Sequence, residues 1–153
     1  PSVSITDLGI VRDVRWEGDD LVVALTPTYS GCPATAVIEA DVTRALHDRG
    51  VQRVRIERRL APAWTTDWIT ARGRARLYEH GTAPPMNDLS HGLVIVEADR
   101  PKAERKGGTR SVPPCPRCDS THTTEISHFG STPCKALYRC ESCREPFDYV
   151  KPH

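Results

Sequence analysis

An excess of charge of either sign is what this sequence most plainly lacks. Twenty-one Lys and Arg stand against twenty Asp and Glu, and that balance gives no strong pull toward DNA, RNA or anionic lipid. Long hydrophobic runs are missing too. Runs such as Leu93 to Val96 fall far short of the roughly 20 residues that cross a bilayer, so no membrane partner is expected. There is no internal repeat, and no P-loop, dinucleotide fingerprint or catalytic triad can be traced. His47, His80, His91, His122, His128 and His153 form no metal-ligand spacing. The chain opens at Pro1 with neither Met nor a charged, apolar leader, which reads as a start that has been cut.

What is present is a globular composition, 38% hydrophobic and 27% charged, over 153 residues. That length suits one ordinary domain, or a small domain followed by a module too small to build its own core. The cysteines favour the second arrangement. Four of the six form two Cys-x-x-Cys pairs near the C-terminus, a fifth lies between those pairs, and the sixth stands far upstream at Cys32. Such placement suits metal and thiolate chemistry in a reducing compartment better than a disulfide framework. A cytoplasmic protein is the expectation.

Apolar and polar residues alternate from Ile10 to Trp16, Gly18-Asp19-Asp20 turns, and Leu21 to Thr26 is apolar and β-branched; this predicts a β-hairpin. From Pro33 to Arg49, Val37, Ile38, Val42, Ala45 and Leu46 share one helical face and Gly50 ends it, which predicts an amphipathic helix on the sheet. Val51 to Leu60 should return as a third strand, and a second helix should run from about Thr66 to His80; Trp64 and Trp68, four apart, suit a helix's buried stripe better than the alternative, a docking face. Gly92 to Ala98 reads as one more strand, at an edge. Residues 99–112 are charged and Gly-containing with almost nothing to bury, so they read as a flexible linker between a domain at 1–98 and a module at 113–153. The fold class is therefore α+β: a small αβ domain with a three- or four-stranded sheet, then an all-β module.

In that module, Cys115-Pro-Arg-Cys118 and Cys140-Glu-Ser-Cys143 flank segments that read as strands at Thr121 to Phe129, Lys135 to Arg139 and Phe147 to Val150. About forty residues cannot hold together by burial alone, and Zn²⁺ bound by four thiolates supplies on the order of 10 kcal/mol. The spacing predicts a zinc ribbon with Cys115, Cys118, Cys140 and Cys143 as ligands. The gap between the pairs exceeds the usual roughly 15 to 20 residues, and a long hairpin tip around His128-Phe129-Gly130-Ser131 accounts for it. Four thiolates leave no open position for substrate, so the metal is structural. Ribbon turns commonly place Gly just after the second Cys, where φ is positive; here those places hold Asp119 and Arg144, and strain is expected at Arg144. Cys134 is an extra thiol: an alternative ligand, a redox partner or, the simplest reading, a small packing residue.

Cys32 precedes Pro33, which suits a first helical turn, so Cys32 is expected at the N-cap. There a sulfur faces unpaired N–H groups, a setting that favours a nucleophilic or metal-binding thiolate. Thr28, Tyr29 and Ser30 bring hydroxyls nearby. A buried packing thiol stands as the alternative. One thiol cannot hold an iron–sulfur cluster alone, so the remaining ligands would come from a second copy, a partner or other side chains, and transfer or bridging follows more naturally than storage.

Three segments carry a resemblance: Ser4-Ile-Thr-Asp-Leu-Gly-Ile-Val-Arg12, Thr26-Pro-Thr-Tyr-Ser-Gly-Cys-Pro33, and Phe129-Gly-Ser-Thr-Pro-Cys-Lys-Ala-Leu-Tyr-Arg-Cys140 with Glu145-Pro-Phe-Asp-Tyr149. The first two resemble the MIP18-like (DUF59) domain of iron–sulfur assembly factors, and with the third the chain is similar over nearly its whole length to the PaaD family of phenylacetate-degradation proteins. The resemblance implies a MIP18-like domain at 1–98 and a role in aerobic phenylacetate breakdown, where a multicomponent di-iron monooxygenase epoxidises the ring of phenylacetyl-CoA. Such proteins are thought to mature a metal centre of that enzyme, such as the iron–sulfur cluster of its reductase. Carried over, Cys32 matches the family's reactive Cys, Asp7 the Asp of its Asp-Leu-Gly segment, and the four ribbon cysteines its zinc ligands. The family's Asp-Pro-Glu run lies just ahead of the point where this sequence begins.

The leading expectation is thus a maturation factor that delivers a cluster rather than turning over a substrate. A structural subunit of the oxygenase, a zinc-ribbon nucleic-acid binder and a thiol oxidoreductase using a Cys32–Cys134 disulfide are the competing readings. The near-zero net charge, and the lack of interleaved aromatic and basic residues in the ribbon, count against the nucleic-acid binder.

Overall fold

The alternation ahead of Gly18 builds strand β1 (Val11–Glu17), and the β-branched run after it builds β2 (Asp20–Leu25). They pair antiparallel, Trp16 opposite Leu21 and Val14 opposite Val23, and Gly18 turns the chain at φ +60°. The computed structural model describes residues 3–86 and 112–153, and the chain falls into two units, Pro1–Leu77 with His153, and Tyr78–Pro152.

In the first unit, helix α1 (Thr35–His47) carries the chain from β2 to β3 (Val54–Arg58), which lies parallel to β2 in a sheet of order β1-β2-β3. A parallel neighbour demands such a crossover. Ile38, Val42 and Leu46 of the helix pack on Ile10, Val23, Leu25 and Ile56. Turned the other way, Val22 and Ala24 are fully buried although their cross-strand neighbours are Arg15 and Arg55, and Asp13 and Glu57. These charges pair with one another: Arg15 reaches Asp13 at 2.8 Å and Glu57 at 2.6 Å, and Arg59 reaches Glu57 at 2.8 Å.

The hairpin, α1 and β3 follow the sequence expectation, with ends trimmed by a few residues. The second helix does not. Thr66–Trp68 is a separate 3₁₀ turn, the chain then extends at Ile69 (φ −70°, ψ 121°), and helix α2 spans Ala71–Glu79. Burial of Ile69 and a new cap cause the break: Ile69 is 4% exposed, and Thr70 Oγ1 accepts the Gly73 N–H at 3.0 Å, restarting a helix there. Trp64 and Trp68 therefore form no helical stripe. Trp64 is buried and donates its ring N–H to the Leu8 carbonyl, and Trp68 lies under the Arg12 guanidinium.

In the second unit, β5 (Thr123–Ser127), β6 (Lys135–Cys140) and β7 (Pro146–Val150) form an antiparallel sheet where three strands were expected. A fourth strand joins it: β4 (Thr82–Ala83) pairs parallel with β7, giving the order β4-β7-β6-β5, and Ala83 is fully buried against Tyr138, Phe147 and Tyr149. A boundary drawn at residue 98 puts Ala83 with the first domain; two residues are too few to announce a strand by alternation. The strand expected at Gly92 to Ala98 and nearly all of the 99–112 linker lie outside the described residues. Among the described residues no helix is long and apolar enough to cross a membrane.

Hydrogen bonds from Arg59 and then Arg15 hold the Glu57 carboxyl down to about 2, from an ordinary 4.5. A depressed carboxyl stabilises the fold at pH above its unfolded value, and that contribution is lost as pH falls from about 4.5 through about 2. All three Trp residues, Trp16, Trp64 and Trp68, lie in the first unit, so their fluorescence reports its unfolding. Glu57→Gln is expected to lower the stability of that unit at pH 7 and to flatten its decline across the acid window, with denaturant midpoints converging on those of the parent near pH 2.

Candidate metal centre and reactive thiol

Two tight turns present the four ribbon cysteines. In the first, Asp119 N–H donates to the Cys115 carbonyl and Cys115 N–H to the Ser120 carbonyl; in the second, Arg144 N–H donates to the Cys140 carbonyl and Cys140 N–H to the Glu145 carbonyl. Both turns close through a residue at positive φ, Asp119 at 58° and Arg144 at 67°. These are the two positions where the sequence pattern placed positive φ on residues other than Gly, and an L side chain there costs about 1 kcal/mol or more. Backbone N–H groups also point at sulfur: Arg117 N to Cys115 Sγ at 3.4 Å and Cys143 N to Cys140 Sγ at 3.5 Å.

The four sulfurs lie within 4.8 Å of one another, with Cys115–Cys143 at 3.7 Å and Cys118–Cys140 at 3.6 Å. A tetrahedral Zn²⁺ with bonds of about 2.3 Å sets its sulfurs about 3.8 Å apart. The donor set and its spacing fit that ion. The Cys143 N–H draws the Cys140 thiol down to about 6, while burial pushes the Cys115 thiol up; a bound divalent ion displaces protons from such thiols outright. Cys134 stands apart from this quartet, half-buried on the loop before β6 with its sulfur 3.1 Å from the Thr132 hydroxyl.

Two supports around the quartet were not anticipated from sequence. Tyr78, near the end of α2, shares its one O–H between the Cys115 carbonyl, 3.0 Å away, and the Asp119 carboxylate. Burial, and the carboxylate beside it, push this phenol well above its ordinary value, so it stays a donor at any working pH. Ser120 and Ser142 hydroxyls meet at 2.8 Å and tie one turn to the other. The Phe-Gly-Ser-Thr run forms the loop after β5: Ser131 Oγ donates to Asp148 at 2.7 Å, Lys135 Nζ reaches the same carboxylate at 3.2 Å, and a Cβ at Gly130 would come within 2.8 Å of Asp148 Oδ1.

In the first unit the structure corrects one expectation about Cys32. Pro33 and Ala34 form a turn closed by Thr35 N–H on the Cys32 carbonyl, and the N-cap of α1 is Ala34, with no side-chain cap bond. Proline extends the residue before it and offers no N–H of its own, so the regular helix begins past the sulfur. Cys32 is half-buried and, with Thr28, Pro27, Thr35, Ile10, Leu25 and Ile38, lines a cleft of about 20 Å³. That is room for roughly one water, not for an organic substrate.

Asp7 is not among the residues lining this cleft. It is 4% exposed and accepts hydrogen bonds from Ser4 Oγ at 2.8 Å, Thr70 Oγ1 at 2.9 Å and Arg72 Nε at 3.0 Å. Arg72 first, then Ser4, keeps its carboxyl below the ordinary range. Its neighbours complete a clamp: the Asp7 carbonyl takes the Thr70 N–H at 2.9 Å, the Leu8 carbonyl takes Trp64, and Gly9, at φ +69°, lies so near Trp68 that a Cβ would stand 2.5 Å from Trp68 Cβ. The Asp-Leu-Gly segment thus anchors the N-terminal turn to residues 64–73.

Tyr78→Phe removes both bonds to the first cysteine turn and is expected to weaken zinc binding roughly tenfold, as loss of a supporting contact does elsewhere, measured by competition with a chromophoric chelator. Arg144→Gly relieves the positive φ and gives up only an exposed 3.5 Å pair with Glu141, and exposed pairs contribute little. It should raise the denaturant midpoint for metal release by the equivalent of up to about 1 kcal/mol, while Arg144→Ala should not.

Comparison with known proteins matches this architecture twice. Residues 98–151 match the family described as PaaD zinc beta ribbon domain, and residues 1–56 match the family described as iron-sulfur cluster assembly protein. A protein of Escherichia coli (strain K12), named as one subunit of a "Putative 1,2-phenylacetyl-CoA epoxidase", is 49% identical over 151 residues, 99% of this chain and 82% of its own. A crystal structure of a domain of unknown function, DUF59, from Bacillus anthracis covers 49% of this chain and 74% of its own at a TM-score of 0.46 and 28% identity. With identity at this level along almost its whole length, the chain belongs to the PaaD family, in which an iron–sulfur cluster assembly domain precedes a zinc ribbon.

Proposed function

We propose that this protein is an accessory maturation factor of a phenylacetyl-CoA epoxidase, assembling or delivering an iron–sulfur cluster or other metal centre, with Cys32 as the thiol that handles the cargo and Zn²⁺ held structurally by Cys115, Cys118, Cys140 and Cys143. One observation carries the reading. The two sulfur sites differ in the donors they offer: four sulfurs gather within 4.8 Å, enough to fill a tetrahedral ion, while Cys32 is a lone, partly accessible thiol within the segment that matches the iron–sulfur cluster assembly family. A single half-buried thiol beside a cleft too small for an organic substrate suits transfer between proteins, in which a second copy or the client supplies the other ligands. The iron–sulfur reductase of the epoxidase is the client this reading favours, and zinc is the ion it places in the quartet, because residues 98–151 match a zinc ribbon family and four thiolates at this spacing suit that ion. Asp7 contributes by holding the N-terminal turn in place, and Thr28 by lining the Cys32 cleft.

The name of the Escherichia coli relative favours a second reading, a structural subunit of the epoxidase. Metal and sulfide analysis after anaerobic reconstitution separates the two. For the maturation factor, zinc is expected near one per chain in both the intact protein and Cys32→Ala, with iron and acid-labile sulfide taken up by the intact protein alone. Absence of iron and sulfide from both, with stable stoichiometric copurification with the epoxidase regardless of Cys32, would favour the structural subunit.

A further inference from the structure

Burial divides the quartet into unlike pairs. Cys115 and Cys140, the first cysteine of each turn, are fully buried among Tyr138, Phe147 and Tyr149; Cys118 and Cys143, the second of each, are exposed. The exposed pair therefore takes one sulfur from each turn, and all four sulfurs lie within 4.8 Å. Ser120, two residues after Cys118, and Ser142, just before Cys143, hold the two turns together through their 2.8 Å hydroxyl contact. The outer two sulfurs are thus neighbours on the solvent side, held close by contacts of the protein itself.

We propose that Cys118 and Cys143 form a peroxide-sensitive release point, through which hydrogen peroxide ejects the metal by joining these two sulfurs in a disulfide. The inference rests on the reading that the quartet holds zinc. One exposed thiolate attacks the O–O bond, giving a sulfenic acid and hydroxide; the other attacks that sulfur, forming S–S and releasing a second hydroxide. The two hydroxides take up two protons, so the two sulfurs lose two electrons in all and one peroxide becomes two waters. The sulfurs close from within 4.8 Å to the roughly 2.0 Å of a disulfide. With only Cys115 and Cys140 left, both buried away from solvent, the ion departs. Access decides the order, because an oxidant in water reaches the outer sulfurs first.

The test uses the zinc-loaded full chain. Zinc content is measured first, then hydrogen peroxide is added with a chromophoric zinc chelator present, and disulfides are mapped by mass spectrometry when half the zinc has been released. The expected result is release of the bound zinc in step with a Cys118–Cys143 disulfide, reversed by dithiothreitol and added zinc, and at an unchanged rate in Cys134→Ser. A first disulfide that contains Cys115, Cys140, Cys32 or Cys134, or oxidation with the zinc retained, overturns the inference and leaves the zinc reading standing. Absence of zinc before peroxide is added overturns both.

Discussion

Convergence of four thiols on one point is the constraint on which the C-terminal half of this protein depends. Its strands are five, six, five and two residues long, and the core they enclose is a small cluster around Tyr138, Phe147 and Tyr149. Burial on that scale does not hold so short a segment together. A tetrahedral ion held by the four thiols would, by fixing the turn at 115–118 against the turn at 140–143. Much of the surrounding chemistry serves those turns: backbone N–H groups aimed at sulfur, Tyr78 on the Cys115 carbonyl, the Ser120–Ser142 bridge, and two residues accepted at positive φ because the turns require it.

The N-terminal unit is held differently, by a crossover helix on one face of a three-stranded sheet, charged side chains on the other, and a polar clamp at its N-terminal turn. Asp7 is central to the clamp, and its donors, Ser4, Thr70 and Arg72, come from two distant stretches of chain. A buried carboxylate supplied with several hydrogen bonds stays ionised and anchors what surrounds it. This architecture accounts for the Asp-Leu-Gly segment: each of its residues meets the 64–73 stretch, through the Asp7 carboxylate and carbonyl, the Leu8 carbonyl and the Cβ-free Gly9.

Sulfur thus appears in two settings within one chain. In the ribbon, four sulfurs satisfy one another's geometry and leave nothing vacant for a substrate. Ahead of α1, a single sulfur stands half-buried beside a cleft that admits about one water. A full set of donors favours retention of an ion and a lone thiol favours exchange, which is the physical basis for proposing different work for the two sites.

Spacing along the chain was enough to foresee the meeting of Cys115, Cys118, Cys140 and Cys143 and the positive φ at Asp119 and Arg144, because a Cys-x-x-Cys turn is local and its geometry leaves few alternatives. The hairpin, α1 and β3 were legible for the same reason: periodicities of 2 and 3.6 are written into short windows. Contacts between distant residues were not. The break between Trp68 and Ala71 depends on Ile69 being buried and Thr70 being engaged by Asp7, the strand at Thr82–Ala83 exists only because β7 is there to pair with it, and Tyr78 gained its role when the end of α2 came to Cys115. The place of Cys32 ahead of the cap, and the division of the quartet into buried and exposed sulfurs, were likewise decided by packing, since burial is a property of neighbours that sequence order does not name.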